Sequence, residues 1–129
     1  LVRNNISDRI KFLGSIYDRY ELNPLRYYCK AYIHGHSVGG TNPSLLEAMG
    51  SRNIILAHDN EFNREVTAGT QFYFRSPEQV AEIISRIELL EKDEVEEYKE
   101  LSINRIISKY NWDNILAKYH ELFKEISLP

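Results

Sequence analysis

Apolar residues recur along this chain in short blocks whose period switches between that of a strand and that of a helix. Ile10-Lys11-Phe12-Leu13-Gly14 alternates in part and ends on glycine, the pattern of a strand running into a turn. Asn23-Pro24 supplies a cap and a proline at a first helical position, and Leu25, Tyr28 and Cys29 follow at helical spacing, which predicts a short helix. Ala31-Tyr32-Ile33-His34-Gly35-His36 is β-prone. It leads through Ser37-Val38-Gly39-Gly40-Thr41 to a second Asn-Pro pair, Asn42-Pro43, heading a helix with Leu45, Leu46, Ala48 and Met49 that stops near Gly50. Asn53 to Ala57 is almost continuously apolar, as in a strand buried on both faces of a parallel sheet. Asp59-Asn60 can cap a short helix from Phe62 to Val66, Gly69 stops it, and Gln71 to Phe74 makes a fourth strand.

The remainder reads as helix. Ser76-Pro77-Glu78-Gln79 combines a serine cap, a proline at the first position and a glutamine placed to reach back, and Val80, Ile83, Ile84, Ile87 and Leu90 share one face. Glu91 to Glu94 reads as a solvated turn before a helix carrying Val95, Tyr98, Leu101 and Ile106. Ile115, Leu116, Tyr119, Leu122, Phe123 and Ile126 form a last apolar stripe that must pack on something, with Trp112 as its anchor. Tyr17, Tyr20, Tyr27 and Tyr28 are expected to pack in the core or between helices. Alternation of strand and helix predicts an α/β fold, a Rossmann-like parallel sheet over about residues 8–75, with terminal helices over about 76–127.

At 129 residues with 43% hydrophobic content, the chain suffices for one core. A net charge of −3 with its sixteen Lys and Arg scattered gives no nucleic-acid signature. Cys29 is the single cysteine, which leaves no internal disulfide and fits a reducing compartment. No apolar run approaches the roughly 20 residues of a membrane helix, so the expected location is the cytoplasm, or the periphery of the inner membrane face. The chain opens at Leu1 without methionine, so sequence upstream is expected.

The chemistry concentrates in the glycine-rich turn. In open parallel sheets ligands bind beyond the carboxyl ends of the strands, where Gly39 and Gly40 let backbone approach closely and a helix starting at Pro43 presents N–H groups to an anion. Thr41, Asn42 and Ser44 add donors, with Asn42 open to use as the helix cap. His34, His36 and His58 lack the spacing and accompanying carboxylates or thiolates of a metal site, so no metal is expected and His36 reads as a hydrogen-bonding residue of the loop. Glu61, Arg64 and Glu65 follow the next strand and can reach the same cleft.

Residues 32–50, Tyr-Ile-His-Gly-His-Ser-Val-Gly-Gly-Thr-Asn-Pro-Ser-Leu-Leu-Glu-Ala-Met-Gly, resemble the donor-site segment of family 4 retaining glycosyltransferases, especially their rhamnosyltransferase-like branch. The likeness continues in order through Phe12-Leu13-Gly14, Asn53 to Ala57, and Asn63-Arg64-Glu65-Val66 to the terminal helices. It implies the C-terminal half of a GT-B fold, incomplete at its N-terminus, that holds a nucleotide-diphospho sugar as donor substrate and needs no other cofactor. A glycan or lipid-linked acceptor would bind through an N-terminal domain outside this chain, in polysaccharide biosynthesis. By the same resemblance Glu47 binds the donor's ribose and Glu65 lies near its nucleotide, while the chemistry of the turn makes Gly39, Gly40, Thr41, Asn42 and Ser44 the diphosphate site and His36 a further donor-site candidate. The family's sugar-binding glutamate, eight residues before Glu47, is here Gly39; the Gly-Gly-Thr-Asn-Pro variant puts a 6-deoxyhexose first as donor sugar. Strand edges left unpaired by absent upstream strands would invite a homo-oligomer. The alternative is a non-catalytic nucleotide- or protein-binding α/β module.

Overall fold

The computed structural model describes residues 10–126. Its elements run α1 (Arg19–Tyr28), β1 (Ala31–His34), α2 (Pro43–Gly50), β2 (Ile54–His58), α3 (Glu61–Val66), β3 (Phe72–Phe74), α4 (Pro77–Glu88), α5 (Lys92–Lys109) and α6 (Trp112–Ile126). The strands form one three-stranded parallel sheet in the order β1-β2-β3, with Ala31 opposite Ile54 and Leu56 opposite Phe72. Helices cover both faces, which makes the chain a Rossmann-like α/β fold, as the alternation predicts. The ends of the expected core and helical regions, residues 8–9 and 127, lie outside the described residues.

Alternate side chains of a strand face opposite ways, and Ile54 to Ala57 of β2 are buried on both faces. Ile55 and Ala57 point to one face and meet Leu45, Ala48 and Met49 of α2 and Val66 of α3. Ile54 and Leu56 point to the other and meet Phe72 and Ile87, with Val80 and Ile83 of α4 and Val95 and Tyr98 of α5 at the margin. Buried polar side chains close the gaps. Asn53 is buried and donates through Nδ2 to the Ala48 carbonyl at 3.0 Å, accepts from the Cys29 thiol at 2.8 Å, and its own carbonyl accepts from Ser102 Oγ at 2.8 Å. Gln71 accepts from the Ile55 N–H at 2.9 Å and donates to the Tyr98 carbonyl at 3.1 Å, so one side chain continues the β2–β3 ladder and ties α5 to it.

Several expectations are corrected. Ile10 to Gly14 forms no strand: within the described sheet it has no neighbour to pair with, and Ile10, Phe12 and Leu13 are exposed. The first helix starts at Arg19, because Asp18 caps it by accepting from the Tyr20 N–H at 2.8 Å; Pro24 therefore sits inside, where its missing N–H removes one internal bond. Glu91 to Glu94 is a helix start, with the side chains of both glutamates closing a capping box. Ser76 caps α4 as expected, but Gln79 reaches past it to the Arg75 N–H at 2.7 Å. Tyr17, Tyr20, Tyr27 and Tyr28 are exposed, and Trp112, the first residue of α6, is 75% exposed and anchors nothing. The α6 stripe, expected to pack, contains no buried residue.

Candidate functional site

The glycine-rich turn leaves β1 at its carboxyl end and enters α2, on the sheet face that α2 covers. Both of its ends are tied down. The His36 carbonyl accepts from Asn60 Nδ2 at 3.1 Å and from Asn63 Nδ2 at 3.0 Å, while Asn63 also donates to the His58 carbonyl at 2.8 Å. At the other end Asn42 Oδ1 accepts from the Ser44 N–H at 3.0 Å and from Ser44 Oγ at 2.7 Å. Asn42 is thus the helix cap, and its carbonyl takes the Leu45 and Leu46 N–H groups.

That capping changes which donors can serve a ligand. Pro43 has no N–H, and those of Ser44, Leu45 and Leu46 are already used, so the first turn of α2 has little left to offer. Among the described residues no hydrogen bond reaches the N–H groups of Gly39, Gly40, Thr41 and Asn42. The free donors lie in the turn itself. Gly39 holds φ at +109°, a conformation that L side chains rarely adopt, and a Cβ placed on it or on Gly40 would meet no atom within 4 Å.

Beside the turn lies a cleft of about 320 Å³ lined by Gly40, Thr41, Glu61, Phe62, Glu65 and Val66. It brings two of the predicted turn residues against α3, so Glu61 and Glu65 do reach the same cleft. Arg64 does not line it; it donates to Asp59 at 2.5 Å, which Arg75 also holds at 3.0 Å, and the Arg64 bond is the main cause of the lowered Asp59 pKa. Glu65 is pinned by Lys109, by the Tyr110 hydroxyl at 3.0 Å and by Arg105 at 3.3 Å; chiefly through Lys109, its pKa lies below the usual glutamate value. The cleft therefore has Gly40 and Thr41 of the turn on one wall and the side chains of Glu61 and Glu65 on the other. A larger hollow of about 460 Å³ opens at the amino ends of the strands, where Arg52 pairs with Glu96 and Glu100 and Lys99 with Glu96. The smaller cleft is the better candidate, because ligand sites in open α/β sheets lie at the carboxyl ends.

Glu47 stands on α2, half-exposed, with Oε2 accepting from Arg26 of α1 at 2.5 Å; Oε1 makes no hydrogen bond among the described residues. Arg26, Asn60 and Asn63 are contributors the sequence reading did not place at the site. Asn60 was legible as a helix cap, whereas Arg26 meets Glu47 only through the tertiary packing of α1. The histidines divide between the faces. His34 is 1% exposed with both ring nitrogens unpartnered, and it stacks at 4.7 Å on His36, whose ring makes no hydrogen bond in the loop. His58 points to the opposite face and packs edge-on against Phe74 at 5.8 Å. Burial, and then the neighbouring His36, lower the His34 pKa. The described residues include no group of three or more metal-ligating side chains.

Compared with known proteins, the chain matches no protein-family model, no curated protein and no solved structure. The class that fold and site define is an open parallel α/β domain with a tethered, donor-rich turn at the carboxyl end of its sheet.

Proposed function

We propose that the chain is the donor-binding part of a retaining GT-B glycosyltransferase, taking a nucleotide-diphospho sugar, with a deoxyhexose or another hexose passed to a glycan or lipid-linked acceptor held by another domain. The observation that carries this reading is the set of unpaired N–H groups from Gly39 to Asn42 beside a cleft whose opposite wall is carboxylate. Amides in a fixed turn suit a diphosphate whose negative charge grows as the glycosidic bond breaks, and they need no reorganisation to meet it. Glu61 and Glu65 would repel the phosphates, but as acceptors they suit sugar hydroxyls, which sets an order along the cleft: diphosphate on the turn, sugar toward α3. Glu47 keeps Oε1 for a ribose hydroxyl while Arg26 fixes the carboxylate through Oε2. The resemblance of residues 32–50 to the family 4 donor segment supports the same assignment.

The test is a backbone amide NMR titration with UDP, GDP and dTDP. Saturable shifts confined to residues 39–47, with one base preferred, are the expected result. A folded sample whose turn amides respond to none of the three nucleotides overturns the proposal.

A further inference from the structure

Three rings stand in a column at the root of the glycine-rich turn. Tyr32 and His34 share the sheet face that α2 covers, and His36 follows two residues on; the ring centroids lie 6.1 Å apart for the first pair and 4.7 Å for the second, both stacked. The middle ring is 1% exposed, and among the described residues neither of its nitrogens has a hydrogen-bond partner. A neutral imidazole endures that at the cost of unmade bonds. An imidazolium presents two N–H donors and a charge, and burying it without an acceptor costs far more.

The neighbouring elements offer such a charge no counterpart. On this face of the sheet α2, β2 and α3 contribute Leu45, Ala48, Met49, Ile55, Ala57 and Val66 to the core, none of them titratable. The charged side chains of these elements are engaged elsewhere: Glu47 with Arg26, Arg64 with Asp59, and Glu65 with Arg105 and Lys109 of α5. Glu61 is exposed on the wall of the cleft, and His58 lies on the opposite face of the sheet. Directly against the His34 ring, His36 adds a second group able to carry positive charge. His36 is also where the turn is moored, since its carbonyl accepts from Asn60 and Asn63. Parting the two rings therefore moves the mooring.

From this we infer that the stack of His34 on His36 is an acid-sensitive latch, which holds the turn from Gly39 to Asn42 while both rings are neutral and releases it when protons enter the pair. The inference is independent of the donor-site reading, and its test needs no ligand. Burial, and then His36, lower the His34 pKa, so the closed turn favours the neutral ring; the latch is complete above the ordinary histidine value of 6.5 and is lost as pH falls below it. Backbone nitrogen relaxation of the full chain, measured by NMR at about pH 7.5 and about pH 5, reads the latch directly. Order parameters of residues 37–42 are expected near about 0.85 at the higher pH and below about 0.6 at the lower, while those of residues 54–57 stay near about 0.85. His34→Phe removes no hydrogen bond, keeps an aromatic ring in the column, and should leave the turn ordered at both pH values. His36→Phe takes away one of the two charges and should move the loosening to lower pH. A turn equally ordered, or equally loose, at both pH values overturns the inference, as does one that still loosens in His34→Phe or that loosens at the same pH in His36→Phe. So does a loss of order in residues 54–57 alongside the turn, because protonation would then unfold the sheet instead of releasing the turn.

Discussion

Replacing Gly39 by alanine isolates the backbone demand of the turn from any steric demand. At φ +109° the alanine would occupy a region costing about 1–3 kcal/mol for a residue with a side chain. Its Cβ meets nothing within 4 Å, so no clash adds to that figure. Restricting the unfolded chain returns about 0.4–1 kcal/mol, leaving a net loss of about 1–2 kcal/mol. Gly40→Ala is the internal control: its Cβ also meets open space, its φ is not positive, and it should be neutral or stabilising by a few tenths. Urea unfolding followed by far-ultraviolet circular dichroism reads both variants, and Trp112 is too exposed to serve as a fluorescence reporter of the core. The midpoint should fall for Gly39→Ala at unchanged slope and hold or rise for Gly40→Ala. Equal midpoints would refute the reasoning, because they would mean that the turn relaxes freely despite the Asn60 and Asn63 tethers at one end and the Asn42 cap at the other.

Two further outcomes test the interior. His34 has its pKa depressed by burial and by His36, so the fold favours the neutral ring; the stability it contributes is complete above the ordinary histidine pKa near 6.5 and is lost as pH falls below it. Thermal melts of His34→Phe between about pH 5 and 8 should therefore show a flatter acid limb than the unaltered chain. Asn53→Ala removes the bonds to the Ala48 carbonyl and from the Cys29 thiol and opens a small void, while the thiol keeps the Arg26 carbonyl at 3.2 Å as acceptor, and denaturant titration should show a loss of about 1–3 kcal/mol.

The sheet was legible in the sequence where burial on both faces left an uninterrupted apolar run, as in Asn53 to Ala57, and where a cap and a proline stood together before a helix, as at Asn42-Pro43 and Ser76-Pro77. The same cap-plus-proline rule misplaced α1, because Asp18 is a competing cap five residues upstream and a helix with other bonds intact tolerates one proline. Ile10 to Gly14 has the local pattern of a strand, yet a strand exists only through its neighbour, which no local pattern supplies. In the site, the turn and its Asn42 cap were readable from spacing. The engagement of Glu65 by Lys109 and of Glu47 by Arg26 was not, since those partners lie 44 and 21 residues away in the chain.

The position of α5 sets an order of assembly. From β1 to β3 each strand pairs with the next one in the chain, so residues 31–74 can close through short loops at low entropic cost. The bonds from α5 are of longer range: Ser102 to the Asn53 carbonyl, the Tyr98 carbonyl to Gln71, and Arg105 to the Val66 carbonyl at 3.1 Å, with sequence separations of 49, 27 and 39 residues. These latch bonds can form only after the unit they clasp. A nascent chain released before α5 has emerged would lack Val95 and Tyr98 beside Ile54 and Leu56 and Ile106 and Tyr110 beside Ile55 and Ala57, and with both faces of the sheet partly uncovered it would be the species most prone to aggregate during synthesis.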